Sequence, residues 1–238
     1  MEYDSGMPND KRLRGLIAAV VLLAVLMGGA VLVLLLRPAG PTSRTAPPSV
    51  LPSGSVSVAP VEPAQTQTAL TEAPSGVTWE LFQGVALPVS TADGPAHINN
   101  AVHSGFARTP TGALIADAQI NIRRVATPAV AGLRQIAEEQ LVPGPGKTAY
   151  LNLIASLRDN APPAGGYTQY VGFRYVTYTP ELAVISLATR GKSGRIQVGT
   201  DTLRWLAGDW KLELPPSGLQ QPQVVQDITG YVPWQGVT

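Results

Sequence analysis

His97 and His103 are the only histidines in the chain, six residues apart, with Asp93 four residues before the first. Imidazole nitrogens and a carboxylate at that spacing could ligate a metal or pass protons near neutral pH. No Glu or Cys stands at ligand spacing beside them, so a surface loop accounts for both more simply. Asp117 is the second candidate. It lies one turn after Leu114 on a predicted helix, and a phenol from Tyr170, Tyr175 or Tyr178 would complete an acid–base pair. The competing reading is a solvated aspartate beside half-buried strand tyrosines. Arg123-Arg124 reads as surface charge in preference to a rim for an acidic partner. Gly144-Pro145-Gly146-Lys147-Thr148 resembles the end of a phosphate loop, but the first glycine of that pattern falls on Leu141. The two prolines also spoil the backbone N–H cradle. Gly191-Lys192-Ser193 fails likewise, because its first position is Ser186. With no cysteine, thiolate nucleophiles, disulfides and Cys-ligated metals are excluded. No residue is thus assigned a catalytic, cofactor-binding or metal-binding role, and a non-enzymatic protein is expected.

The strongest positional signal lies outside these residues. Gly15–Leu36 contains no charge and is flanked by Lys11, Arg12 and Arg14 before it and by Arg37 and Arg44 after it. As a helix it would span roughly 33 Å, the thickness of a bilayer core. It is too long for a signal-peptide core, and no small-residue cleavage site adjoins its polar end. The cationic residues packed before it place the N-terminus, residues 1–14, on the cytoplasmic side. Residues 37–76 are rich in Pro, Ser, Thr and Ala, and read as a disordered tether. Residues 77–238 remain as one extracytoplasmic domain. It holds twelve Lys/Arg and eleven Asp/Glu, too balanced for direct nucleic-acid binding.

Within that domain Trp79–Val89 reads as short extended pieces broken at Gly84 and Pro88, and Thr91–Gly105 as loop. Thr109-Pro110 caps a helix whose stripe is Leu114, Ala118, Ile122 and Val125. Thr127-Pro128 is expected to start a second helix through Leu133, Ile136 and Ala137. Thr148 is expected to start a third, with Leu151, Ile154 and Leu157 on one side. The period then changes. Tyr167–Tyr178 alternates, with Phe173 and Tyr175 on one face and Tyr170 and Tyr178 on the other. Leu182–Thr189, Arg195–Leu206 and Trp210–Leu214 follow as antiparallel strands, with Trp205 and Trp210 in the core, and Ile228–Trp234 adds a short element or docks on the sheet. Helices first and a meander second predict an α+β domain, a curved sheet wrapped on a helical layer.

Trp79-Glu80, Gly84 to Pro88 and Gly105-Phe-Ala-Arg-Thr-Pro-Thr-Gly-Ala-Leu-Ile-Ala resemble a family of actinobacterial membrane proteins encoded on conjugative elements. Leu203-Arg-Trp-Leu-Ala-Gly-Asp-Trp-Lys-Leu is similar to the closing hairpin of nuclear-transport-factor-like domains, cones of helices in a curved sheet. The layout resembles the inner-membrane assembly protein of type IV secretion systems. The resemblance implies a single-pass, non-enzymatic scaffold of a DNA-transfer apparatus. Its partners would be the membrane, other envelope proteins and further copies of itself, with exposed sheet-face aromatics as contact surface and no cofactor. The alternative is an anchored domain that binds a small ligand or lipid in the cone, or a cell-wall enzyme using that pocket.

Overall fold

The computed structural model describes residues 67–159 and 168–236. The expected tail 1–14, the segment Gly15–Leu36 and most of the expected tether lie outside the described residues. Among the described residues no helix is long and apolar enough to cross a membrane. The end of the stretch read as tether belongs with the folded part, since Leu70 packs on the core and Gln67 Oε1 accepts from the Tyr178 hydroxyl at 3.3 Å.

A sheet-rich α+β domain follows. β1 (Thr78–Phe82) and β2 (Val85–Val89) form a hairpin across Gln83-Gly84, both at positive φ. Pro88 does not break β2. It pairs with Trp79 on a strand bonded to one partner only, where a missing N–H is tolerated. The loop expected over Thr91–Gly105 contains a second small hairpin, β3 (His97–Asn99) and β4 (Val102–Ser104). Asp209 anchors what comes after it: its carboxylate accepts from the N–H of Gly105 at 2.9 Å and of Phe106 at 3.0 Å.

Helix α1 (Pro110–Ala126) begins where the cap predicts, with Thr109 Oγ1 accepting from Gly112 N at 2.9 Å and Pro110 at the first helical position. It is not buried along one stripe. Every residue from Gly112 to Ile120 is buried, because the helix packs on β2, β4 and the large sheet at once. Ile122 and Val125, expected on the core stripe, are half-exposed. Helix α2 (Val130–Gln140) starts later than Thr127-Pro128 suggests. The Thr127 N–H donates to Arg123 O at 3.1 Å, so Thr127 ends α1, and Ala129 is the cap of α2. Helix α3 (Pro145–Ala155) starts before Thr148, again with Pro in the first turn. Gly146, Tyr150 and Ile154 are its buried residues, and Leu157 lies beyond its end, exposed.

The main sheet runs β10 (Val232–Pro233), β5 (Gln169–Thr179), β6 (Leu182–Arg190), β7 (Ile196–Leu206) and β8 (Asp209–Glu213), all antiparallel. β9 (Gln223–Val225) pairs with the start of β7 and has no counterpart in the sequence reading. Two bulges interrupt β5, between Tyr170 and Gly172 and between Tyr175 and Thr177. Each extra residue reverses the alternation. Tyr170, Phe173, Tyr175 and Tyr178 therefore share one face, opposite Thr189, Leu187, Ile185 and Ala183, contrary to the strict alternation expected. That face carries an aromatic ladder: Trp234–Phe173 at 5.6 Å between centroids, Phe173–Tyr175 at 6.1 Å, Tyr175–Tyr178 at 6.0 Å and Tyr178–Trp210 at 6.1 Å.

Candidate functional site

Helix α1 and strand β7 bring together three buried charged side chains, Asp117, Arg124 and Asp201. Asp117, Asn121 and Arg124 recur at four and three residues, so they lie along one helix face. Asp201 approaches from β7, in the row Tyr175, Ile185, Asp201 of the sheet face described above. Asn121 joins them: its amide donates to Asp117 Oδ1 at 2.7 Å, and its Oδ1 accepts from Arg124 Nε at 3.1 Å and Nη2 at 3.0 Å. Gln220, in the segment after β8, donates its amide to Asp201 Oδ1. Asp117 is fully buried, and its Oδ2 has no hydrogen-bond partner. Burial pushes its pKa well above the usual carboxylate range. The Asp201 charge adds to the rise, while the Asn121 amide and Arg124 oppose it. Burial raises Asp201 as well, against Arg124 and the neighbouring amides. Burial lowers Arg124, against the attraction of Asp201.

This arrangement is not the acid–base pair that Asp117 and a tyrosine would form. The Tyr170 hydroxyl donates to Ala118 O at 2.9 Å, and the Tyr175 hydroxyl donates to Pro110 O. Both phenols are tied to helix carbonyls and pushed up in pKa, chiefly by burial. Asp117 does not line the adjoining cavity, whereas Asn121, Arg124, Tyr170 and Asp201 do. Asp201 was not singled out from the sequence. A signal exists, since it sits two residues before the buried Leu203 on the same strand face.

Arg123-Arg124 is no surface pair: each is 6% exposed. Adjacent residues point about 100° apart on a helix covered on several sides. Arg123 turns the other way, stacks 4.3 Å from the Phe82 ring centroid, and donates to Gln119 Oε1 at 2.8 Å. Burial lowers its pKa to about 10, against the attraction of Glu80. Trp210 is core as expected, while Trp205 is half-buried with Arg108 at 5.5 Å from its ring centroid. Phe173 and Trp210 of the ladder are buried and Tyr175 and Tyr178 half-buried, so the ladder offers little of the exposed aromatic contact surface expected. Leu81, Ile98 and Val176 are the more exposed apolar side chains.

His97 is exposed on β3, but His103 is buried on β4, not in a surface loop. Among the described residues no group of three or more His, Asp or Glu could hold a metal ion. Burial, and then the nearby Arg123 charge, lower the His103 pKa from 6.5 to about 4. The folded state thus refuses a proton that the unfolded chain accepts over that window. Stability is then fully present above 6.5 and falls as pH drops toward about 4. The loss is at most about 3 kcal/mol, reduced by solvent screening. Asp117 acts with opposite sign, holding in the fold a proton that the unfolded chain releases, so it costs stability as pH rises above 3.8. The His103 contribution is therefore read as a difference: urea midpoints of wild type and His103→Gln should diverge between pH 4.5 and 7, with the variant losing less stability on acidification.

The sequence model of a protein family described as a domain of unknown function (DUF8175) matches residues 41–233, and the chain belongs to that family. No curated protein and no solved structure matches it.

Proposed function

We propose that this member of the family is a membrane-anchored, non-enzymatic assembly component of a conjugative, type IV secretion-like apparatus. Gly15–Leu36 is the single span, residues 1–14 face the cytoplasm, and the α+β domain stands outside on its tether. Helices followed by an antiparallel meander, with two bulges that bend β5, fit a nuclear-transport-factor-like cone. The observation that carries the scaffold reading is an interior filled around the aromatic ladder, with one cavity left beside Asn121 and Asp201. Trp210, Phe173, Leu114 and Ile115 plug the space where such cones hold reacting groups. Two of the three phenols that would act with Asp117, Tyr170 and Tyr175, are held by helix carbonyls. A body of this kind works chiefly through its outside, as a contact surface held to the bilayer by a disordered tether.

Transfer frequency from a donor lacking only this gene tests the reading. Transfer is expected to fall by several orders of magnitude. The full chain should restore it, and Pro60–Thr238 without its anchor should not. Unchanged transfer in the deletion strain would remove the proposal.

A further inference from the structure

A cavity of about 280 Å³ lies between the C-terminal half of α1, strands β6 and β7, and the segment 219–222. It exists because the inner-face position opposite Leu187 is Gly199, which has no side chain to fill it. Its deep wall includes buried Val85 and Leu187, and Leu219 at its mouth is 41% exposed. Two side chains of opposite charge line it from facing elements, Arg124 from the helix at 6% exposure and Asp201 from the sheet at 4%. The ion pairs among the described residues are Arg108–Glu181, Lys147–Glu138 and Arg204–Glu213, so Arg124 and Asp201 do not join directly. Each is held by an amide instead, Arg124 by Asn121 and Asp201 by Gln220.

Buried charges that lack a direct counter-ion are costly, and a ligand that supplies one gains what water cannot give there. A ligand of one sign suits one wall and repels the other. Only a ligand with a cation and an anion on neighbouring atoms suits both, and the apolar remainder of the wall takes an apolar group. We propose that this cavity binds a small zwitterion with an apolar side chain, an α-amino acid, its carboxylate on Arg124 and its ammonium on Asp201. The site is separate from the contact surface of the scaffold reading, and neither needs the other.

Calorimetric titration of the full-length protein in detergent tests it. The probes are L-leucine, L-valine and L-phenylalanine, with leucinamide, 4-methylpentanoate and 4-methylpentan-1-ol as partners of leucine lacking one or both charges. At least one amino acid should bind, and leucine at least about tenfold tighter than each of its analogues. Asp201→Asn should shift the preference toward 4-methylpentanoate. Gly199→Leu fills the space with both charges in place, and should abolish binding. If either variant fails to fold by circular dichroism, the wild-type comparison decides alone. No binding of any amino acid, binding of the alcohol as tight as of leucine, or binding that survives Gly199→Leu in a folded variant would each overturn the proposal. A donor carrying Gly199→Leu that transfers normally while the purified variant binds nothing separates this site from the transfer role.

Discussion

Gly112→Ala is expected to destabilise the domain by at least about 3 kcal/mol, although alanine is ordinarily the better helix former by about 1 kcal/mol. The added Cβ would stand 2.1 Å from Ala107 O and 2.9 Å from both Ala107 C and Ala107 N. Those are backbone atoms, so no rotamer relieves the overlap. Nor is Ala107 free to retreat. Its N–H donates to Asp93 O at 3.0 Å, and its carbonyl accepts from Trp210 Nε1 at 2.9 Å. Either the segment before the helix moves and loses both bonds, or the first turn of α1 unwinds and loses the Thr109 cap. Urea denaturation of the full-length chain checks this, as a fall in midpoint at unchanged slope. Gly191→Ala is the control, since a Cβ there meets nothing within 4 Å, and its effect should stay within about 0.5 kcal/mol. A Gly112→Ala protein as stable as wild type would mean that the close approach of Ala107 to α1 is wrong.

Trp210→Ala should cost about 3–5 kcal/mol. Trp210 is 1% exposed and is the largest fully buried side chain among the described residues. Removing it empties the meeting point of β8, the aromatic ladder and Trp205, whose ring centroid lies 5.5 Å away. It also strips Ala107 O of its donor. Trp210→Phe separates the two contributions: it keeps most of the apolar area and leaves the carbonyl unpaired, for a smaller loss of about 1–3 kcal/mol. Because Gly112 and Trp210 press on the same residue, the double variant should lose less than the sum of the singles. Additive losses would show that Ala107 does not couple them.

Both effects turn on Ala107, a residue that no cap, turn or periodicity rule marks. Ala107 lies between a turn and a cap, and its importance comes from Asp93 and Trp210, one of them more than a hundred residues away along the chain. The same contrast runs through the fold. Thr109-Pro110 announced the start of α1 because a cap hydroxyl and a fixed proline φ act within one turn. The alternation of Trp210, Leu212 and Leu214 announced their burial, because a strand without a bulge keeps its period. The start of α3 at Pro145, three residues before the expected Thr148, obeys the same proline rule.

What the chain alone determined is local: the apolar segment Gly15–Leu36 with its flanking charges, the three helices ahead of the meander, and the Thr109-Pro110 cap. These are set by interactions within a few residues, so they can be read where they stand. Tertiary structure decided which faces those elements show. Two bulges in β5 put Tyr170, Phe173, Tyr175 and Tyr178 on one side. The packing of α1 against several strands at once buried both Arg123 and Arg124. Register between β6 and β7 set Gly199 opposite Leu187 and brought Asp201 into the cavity that Arg124 lines. A bulge, a buried charge and a void each depend on a partner distant in sequence, and a side chain's burial is a property of what covers it.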